Sequence, residues 1–191
     1  MGIEKGPDFY NVNMSRVIKP LEESPWLDVY EAAASLLPEP NCAVIADIGC
    51  GTGRFARLIS NKGYTKYWGV DFSDARIREA RRYVPEFQFS AGNILDPQEQ
   101  GKLKAFNTFV FLEVIEHISE DTSLFSIIPA GSTMIFSVPN FNSKAHVRYF
   151  NSTDEVIERY EMFVDFKIGT HVILPRKRPG RLIFLFSGIK K

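Results

Sequence analysis

The sequence is poor in cysteine and has no excess of charge of either sign. Its only cysteines are Cys42 and Cys50, eight residues apart. Two thiols at this spacing form neither a disulfide framework nor a metal site, so we expect a reducing, cytoplasmic protein. The 23 basic side chains balance the 23 acidic ones, which removes any global reason to expect nucleic acid or a membrane as partner.

Long apolar runs and internal repeats are also absent. No run approaches the roughly 20 apolar residues of a membrane-spanning helix. Residues 1–7 are polar and contain glycine, so we expect no signal peptide. A length of 191 residues is that of one domain with a sizeable core. We therefore expect a single domain over residues 1–191.

What the sequence does contain is a glycine-rich turn between a strand and a helix. Residues 44–48 suit a strand that is buried on both faces, and apolar residues then recur at helical spacing over residues 55–59. Between them lie Gly49, Gly51 and Gly53. A helix N-terminus exposes unpaired N–H groups and a positive dipole, and glycines let an anionic group approach the backbone closely. The turn therefore predicts a nucleotide-type ligand, with a tight turn that binds no ligand as the alternative.

A carboxylate follows at the end of the next predicted strand. Residues 67–70 are aromatic and β-branched apart from one glycine, and Asp71 comes 18 residues after Gly53. At about this offset an acid can bind the hydroxyl groups of a ribose; the alternative is a solvated aspartate before a helix cap at Ser73. The spacing Gly-x-Gly-x-Gly is not the dinucleotide fingerprint, and Asp47 would add a second negative charge beside a pyrophosphate. A zwitterionic cofactor fits better.

Together, Asp47, the three glycines and Asp71 resemble the class I S-adenosylmethionine-dependent methyltransferases. The alternation of strands and helices itself predicts a doubly wound, Rossmann-like α/β domain. The resemblance implies a mainly parallel sheet of seven strands in the order 3-2-1-4-5-7-6, with strand 7 antiparallel. It also implies an N-terminal lid segment, residues 1–23, on a core formed by residues 24–191.

The resemblance assigns eleven residues to the cofactor, S-adenosylmethionine. They are Asp47, Gly49, Cys50, Gly51, Gly53, Asp71, Phe72, Asn93, Ile94, Leu112 and Glu113. Cys50 is expected to fill the tight turn as a small residue. Phe72 is placed against the adenine, with a core phenylalanine as the alternative. Asn93 stands where the family commonly has an aspartate that binds the adenine amino group, and an amide oxygen can also accept that bond. Backbone atoms at Leu112 and Glu113 would contact the methionine end.

The segment Glu113-Val114-Ile115-Glu116-His117 follows a fourth predicted strand. If it is helical, Glu113, Glu116 and His117 share one face, and two carboxylates with an imidazole make a plausible metal site. This version of the motif resembles the metal-dependent small-RNA 3′-end methyltransferases and the ubiquinone-pathway O-methyltransferases. The alternative, which we adopt as the prediction, is that the segment shapes the turn and holds no metal.

Two histidines are the candidate catalytic residues. His117 ends this motif, and His146 lies in a polar and aromatic loop after the fifth predicted strand, at the edge where open α/β sheets bind ligands. His146 could act as a general base or as a further metal ligand; the alternative is a hydrogen bond that fastens its own loop. In the lid segment, Tyr10 and Arg16 are candidate contacts to cofactor or substrate, with an ordinary docking segment as the alternative.

The implied function is in-line transfer of a sulfonium methyl group to a small-molecule acceptor, for which alignment and exclusion of water are the main requirements. Two alternatives remain: a nicotinamide-dependent oxidoreductase, which the glycine spacing disfavours, and a catalytically silent protein that acts through partners. Basic residues elsewhere are expected to be solvated. These are the basic turn over residues 175–180 and the helical residues Arg76, Arg78, Arg81 and Arg82.

Overall fold

The strands form one mixed sheet. The computed structural model describes residues 2–12, 20–173 and 180–191, with the backbone alone over 171–173. The strands are β1 (Ile45–Ile48), β2 (Tyr67–Asp71), β3 (Gln88–Ala91), β4 (Thr108–Phe111), β5 (Thr133–Pro139), β6 (Val164–Ile173) and β7 (Leu182–Lys190). Their order is β3-β2-β1-β4-β5-β7-β6. Neighbours are parallel from β3 to β5, whereas β7 is antiparallel to β5 and β6. The predicted order is confirmed.

Helices connect the strands. They are α1 (Pro7–Asn11), α2 (Leu27–Ala34), α3 (Arg54–Asn61), α4 (Asp74–Tyr83), α5 (Pro97–Gln100), α6 (Asp121–Ser126) and α7 (Thr153–Tyr160), with 3-10 turns at Leu21–Glu23, Leu103–Ala105 and Ile115–His117. The hydroxyl groups of Ser73 and Ser152 accept the N–H groups of Arg76 and Glu155, each at 3.3 Å. These bonds satisfy amides that a helix N-terminus leaves unpaired.

Each face of the sheet has its own apolar core. Side chains alternate along a strand, so Ile45 and Tyr67 join one cluster whereas Ala46 and Trp68 join the other. Helices α2, α3 and α4 contribute to the first cluster, and α6 and α7 contribute to the second. Since both faces are covered, the edge where the parallel strands end is left for a ligand. Within the described ranges, no helix has the length and apolar character needed to cross a bilayer.

A buried charge network fastens the loops that follow β4 and β5. The Asp121 carboxylate accepts hydrogen bonds from Arg159 at 2.7 and 2.8 Å and from the Tyr160 hydroxyl, and lies 3.2 Å from Arg148. Arg148, in the loop after β5, also donates to the carbonyl of Ile115 in the loop after β4, at 2.5 Å. The two loops are therefore held together at the ligand-binding edge.

Candidate active site

A cavity of about 590 Å³ opens at the carboxyl ends of the parallel strands. Its volume lies within the range of about 300–1,000 Å³ that is typical of small-molecule sites. Its wall includes residues 48–52 after β1, 70–72 after β2, 92–95 after β3, 112–114 after β4 and 141–143 after β5. The cavity thus follows the predicted ligand-binding edge of the sheet across five strands.

The glycine turn presents bare backbone to this cavity. The φ angles of Gly49, Gly51 and Gly53 are 75°, 56° and 77°, in the left-handed region that favours glycine. A Cβ atom at Gly49 would lie 2.4 Å from the Val114 side chain, so this position has no room for a larger residue. A Cβ atom at Gly51 would meet no heavy atom within 4 Å. At Gly51, a ligand can therefore approach main-chain atoms directly.

Asp71 closes this turn from the neighbouring strand. Its Oδ2 accepts the N–H of Gly51 at 3.0 Å, and its Oδ1 accepts the N–H of Ser73 at 2.8 Å. The side chain is buried and lines the cavity. Burial raises the pKa of Asp71, and the hydrogen bond from Ser73, the Arg76 charge and the hydrogen bond from Gly51 oppose this rise. The Asp71 carboxylate is therefore buried beside the cavity, whereas the alternative was a solvated aspartate.

Two residues assigned to the cofactor do not line the cavity. Asp47 is buried behind the turn, where its Oδ2 accepts the Tyr67 hydroxyl at 2.6 Å. Burial raises the pKa of Asp47 to about 7, although the bond from Tyr67 opposes this rise. Gly53 starts α3, and a Cβ atom there would lie 3.2 Å from Ala80 of α4. Both residues therefore contribute to the shape of the turn, and their contact with the cofactor stays a prediction.

Cys50 and the three residues at the adenine side lie on the wall. Burial raises the pKa of Cys50 well above its ordinary value, which fits a small residue that fills the turn. Phe72 and Ile94 both line the cavity, and Phe72 is 38% exposed, so it is not a core residue. Asn93 also lines the cavity, and its side-chain oxygen accepts the N–H of Leu95 at 3.1 Å.

The backbone after β4 departs from the expected helix. Leu112 and Glu113 line the cavity, but Glu113 has a φ of 59°, the one left-handed residue other than glycine in the described chain. Its N–H donates to the Ser137 hydroxyl at 2.9 Å, and that hydroxyl donates to its carboxylate at 3.1 Å. Helical geometry begins only with the 3-10 turn at Ile115. The common helical face for Glu113, Glu116 and His117 is therefore wrong.

Glu116 and the two histidines come together instead. One ligand atom from each of Glu116, His117 and His146 lies within 4.8 Å of the other two. Glu116 is fully buried, and neither carboxylate oxygen has a hydrogen-bond partner within the described part of the chain. His117 lies beside it, with Nε2 3.6 Å from Oε1 of Glu116. The sequence motif therefore supplies two members of a polar cluster, and the loop after β5 supplies the third.

Hydrogen bonds to the backbone fix the tautomers of both histidines. Nδ1 of His117 lies 2.9 Å from the carbonyl oxygen of Ala145, and Nδ1 of His146 lies 3.0 Å from that of Phe141. Because a carbonyl only accepts, both Nδ1 atoms carry the proton and both Nε2 atoms have a lone pair in the neutral ring. Burial lowers the pKa of His117, so this ring is neutral at pH 7. Both rings line the cavity, with centroids 4.9 Å apart.

The N-terminal residues form part of the cavity wall. Tyr10 lines the cavity, with its ring centroid 5.1 Å from Phe72 and 6.0 Å from His117. The N–H of Gly2 donates to the carbonyl of His146 at 2.9 Å, and Glu4 accepts the N–H of Ser119 at 2.9 Å. Burial raises the pKa of Tyr10 to about 12. Arg16 lies outside the described residues, as does most of the basic turn over 175–180.

Three arginines line the cavity that sequence reasoning did not assign to it. Arg76 was expected to be solvated, but its guanidinium lies 4.8 Å from the centre of the Tyr10 ring on the cavity wall. Arg54 begins α3 and is 8% exposed. Arg181 precedes β7. The charge pattern of a helix does not reveal that an arginine such as Arg76 lies on the cavity wall, because the residue that covers it, Tyr10, is distant in the sequence.

Comparisons with known proteins agree with this arrangement. A family model described as a methyltransferase domain matches residues 23–174. Trans-aconitate 2-methyltransferase of Variovorax paradoxus (strain S110) is 28% identical over 107 residues, which are 54% of this chain and 41% of that protein. The matched region spans less than half of the length of this relative and of two further trans-aconitate 2-methyltransferases.

Solved structures share the whole fold at low sequence identity. The N-methyltransferase NodS from Bradyrhizobium japonicum WM9, in complex with S-adenosyl-L-homocysteine, has a TM-score of 0.70 at 15% identity, with 96% of each chain covered. The cyclase SpnF has a TM-score of 0.74 at 10% identity, with 100% of this chain and 99% of that chain covered. A cyclase among these structures illustrates that the fold alone does not decide the reaction.

Proposed function

Because this chain belongs to the methyltransferase-domain family, we propose that it transfers the methyl group of S-adenosylmethionine to a small-molecule acceptor. The observation that carries the proposal is the hydrogen bond from Gly51 N–H to the Asp71 carboxylate, which joins the bare glycine turn to the acid after β2. This bond brings a site for an amino-acid end and a site for ribose hydroxyls to one wall. When bound, the cofactor would supply an activated methyl group.

The residues of the cavity have distinct roles in this proposal. Backbone groups of the turn at residues 49–51 would hold the amino-acid end, and the Asp71 carboxylate would accept the ribose hydroxyls. Phe72 and Tyr10 would cover the adenosine and exclude water, which favours reaction through alignment. The Nε2 atoms of His117 and His146 carry lone pairs in the neutral rings, and both residues line the cavity. Either could take the proton of an acceptor that arrives protonated.

A thermal-shift comparison tests the cofactor. S-adenosylhomocysteine should raise the melting temperature in a concentration-dependent way, whereas NADH should leave it unchanged. Stabilisation by NADH without stabilisation by S-adenosylhomocysteine would support a nicotinamide-dependent oxidoreductase and end the proposal. Turnover is then measured as S-adenosylhomocysteine release against an acceptor panel that includes trans-aconitate, the substrate named for the relatives. Cofactor binding with no turnover across a broad panel would favour a catalytically silent protein.

We also propose a second use for the polar cluster, a divalent-cation site formed by Glu116, His117 and His146. The supporting observation is the buried carboxylate without a hydrogen-bond partner in the described chain, beside two imidazoles whose Nε2 atoms have lone pairs. One carboxylate and two imidazoles suit a first-row transition metal. Two ligands of one ion lie at most about 4.2 Å apart when each bond is about 2.1 Å. Ligand atoms up to 4.8 Å apart would therefore close slightly around the ion.

Metal binding is tested independently of activity. Protein treated with EDTA is titrated with manganese, zinc or magnesium chloride and followed by calorimetry and thermal shift. Wild type and the exposed control Glu120→Gln should bind the same cation, whereas Glu116→Gln should lose affinity at least tenfold. No heat and no shift with any of these cations would exclude the site, and Nε2 of either histidine would then remain available as a base. Equal affinity in Glu116→Gln would exclude this ligand set.

A further inference from the structure

Arg181 is held rigidly at the end of the cavity beyond β5. The Asn140 side chain clamps both neighbours of Arg181: its Nδ2 donates to the carbonyl of Gly180 at 2.9 Å, and its Oδ1 accepts the N–H of Leu182 at 2.7 Å. The N–H of Asn140 in turn donates to the carbonyl of Leu182 at 3.1 Å. Three hydrogen bonds from one residue therefore fix the backbone on either side of Arg181.

An aromatic ring supports the guanidinium group. The guanidinium carbon of Arg181 lies 4.5 Å from the centre of the Phe141 ring, a cation–π distance. The carbonyl of this same Phe141 accepts Nδ1–H of His146 at 3.0 Å. Residues Asn140, Phe141, His146 and Arg181 thus form one continuous wall. The guanidinium and the candidate base are held by the same phenylalanine.

Arg181 has no anionic partner among the residues that the structure describes. Two other arginines are paired with acids: Arg57 with Glu86 at 2.9 Å and Arg159 with Asp121 at 2.7 Å. The acids of the cavity wall are engaged elsewhere. Asp71 accepts from the glycine turn, Glu4 from Ser119 N–H, and Glu113 from the Ser137 hydroxyl. The Arg181 guanidinium lies over the Phe141 ring, and its N–H groups can donate to a carboxylate.

The position of Arg181 separates it from the proposed cofactor contacts. Those contacts follow β1, β2, β3 and β4, whereas Arg181 and Phe141 lie beside β5 and β7. Since β5 is the neighbour of β4 and β7 lies beyond it, this end of the cavity is available for an acceptor. The polar residues Asn142 and Ser143 also line it.

We propose that Arg181, whose guanidinium lies over the Phe141 ring and whose neighbours are clamped by Asn140, binds a carboxylate group of the acceptor, so that the natural substrate is a small organic acid. This inference rests on the proposed methyltransferase function, because it assigns to the acceptor the part of the cavity that the cofactor would not occupy. It makes Arg181 a specificity-determining residue. The bidentate guanidinium fork would orient the acceptor next to His146.

Binding is measured by calorimetry with succinate and citrate as probes, at constant ionic strength, with and without saturating S-adenosylhomocysteine. Succinamide is the uncharged probe of matched shape. Wild type should bind the acids and not succinamide. Arg181→Gln should weaken binding of the acids at least about tenfold, as expected for a lost charged hydrogen bond, and Arg181→Lys should restore part of it. The control is Arg82→Gln, since the Arg82 side chain is 74% exposed and pairs with Glu79.

The outcomes separate this inference from the proposed function. S-adenosylhomocysteine binding with unchanged affinity in Arg181→Gln, together with loss of acid binding, would support both. If the cofactor product binds but wild type binds neither acid, or binds succinamide equally well, the inference is wrong and the proposed function stands. Acid binding that survives unchanged in Arg181→Gln also overturns it. If the acids bind through Arg181 while S-adenosylhomocysteine does not bind, the proposed function fails and the carboxylate site remains.

Discussion

Replacing Asp71 with asparagine tests whether one carboxylate both holds the glycine turn and binds a ribose. In the structure, its two oxygens accept N–H groups at 3.0 Å from Gly51 and 2.8 Å from Ser73. Asparagine offers one acceptor oxygen and one NH₂ group, so one of these amides would lose its partner. A buried unpaired polar group costs about 1–3 kcal/mol. In a domain of this size, the melting temperature should fall by about 2–10 °C.

The same substitution should weaken cofactor binding. A hydrogen bond from a ribose hydroxyl to a carboxylate contributes about 1.5–3 kcal/mol. Loss of one such bond in Asp71→Asn corresponds to a Kd for S-adenosylhomocysteine that is higher by about 10- to 150-fold. The two effects have separate measurements, thermal melting of the free protein and calorimetric titration with S-adenosylhomocysteine.

Asp74→Asn is the matched control, because this aspartate lies three residues further on, with a side chain 60% exposed and paired with Arg78. It should change the Kd less than twofold. The reasoning is refuted if Asp71→Asn binds S-adenosylhomocysteine as tightly as the wild type, since the ribose would then lie elsewhere. An unchanged melting temperature would refute the structural half, the role of Asp71 in holding the turn.

Three further substitutions test the surroundings of the site. Gly49→Ala places a Cβ atom 2.4 Å from Val114 at a φ of 75°, so denaturant titration should show a loss of about 2 kcal/mol or more; wild-type stability would contradict this geometry. Burial raises the pKa of Asp47 to about 7. Between about pH 4 and this value, the folded state keeps a proton that the unfolded chain has released. The free energy of unfolding therefore falls as the pH rises through this interval. Relative to wild type, Asp47→Asn should therefore gain on the order of 1–3 kcal/mol between pH 5 and pH 8 in urea melts, and a pH-independent difference would show that Asp47 is not the titrating group. Asp121→Asn removes the buried anion that pairs with Arg148 and Arg159, so the free energy of unfolding in the same melts should fall by about 3–5 kcal/mol. A loss below about 1 kcal/mol would mean that this network does not hold the loops.

The local pattern of the sequence was sufficient for the turn and for its acid. Gly49, Gly51 and Gly53 adopt the left-handed angles for which glycine is suited, and Asp71 lies beside this turn on the cavity wall. The order of the strands was implied by resemblance to a family, since periodicity shows where strands lie but not which strands are neighbours. The predicted cap at Ser73 marked the start of α4, because a cap acts within three residues.

The errors arose where a distant part of the chain decides the conformation or the environment. A shared helical face for Glu113, Glu116 and His117 was the condition for one metal site, but the Glu113 backbone is left-handed and donates to the hydroxyl of Ser137, which is 24 residues away. Asp47 was assigned to the ligand, but Tyr67 of the adjacent strand supplies its hydrogen bond. Arg76 was expected in solvent, but Tyr10 covers it. Neighbouring residues in the sequence carry no signal for such contacts.

The hydrogen bonds of the N-terminal residues have a consequence for the speed of turnover. Gly2 and Glu4 are bonded to the loops that carry His146 and Ser119, and Arg148 keeps those two loops fixed to one another. In the proposed function, a ligand would enter or leave on this side only when residues 2–12 move away, because hydrogen bonds hold the loops beneath them together. Release of the products would then limit the rate of turnover, and an added viscogen would lower that rate.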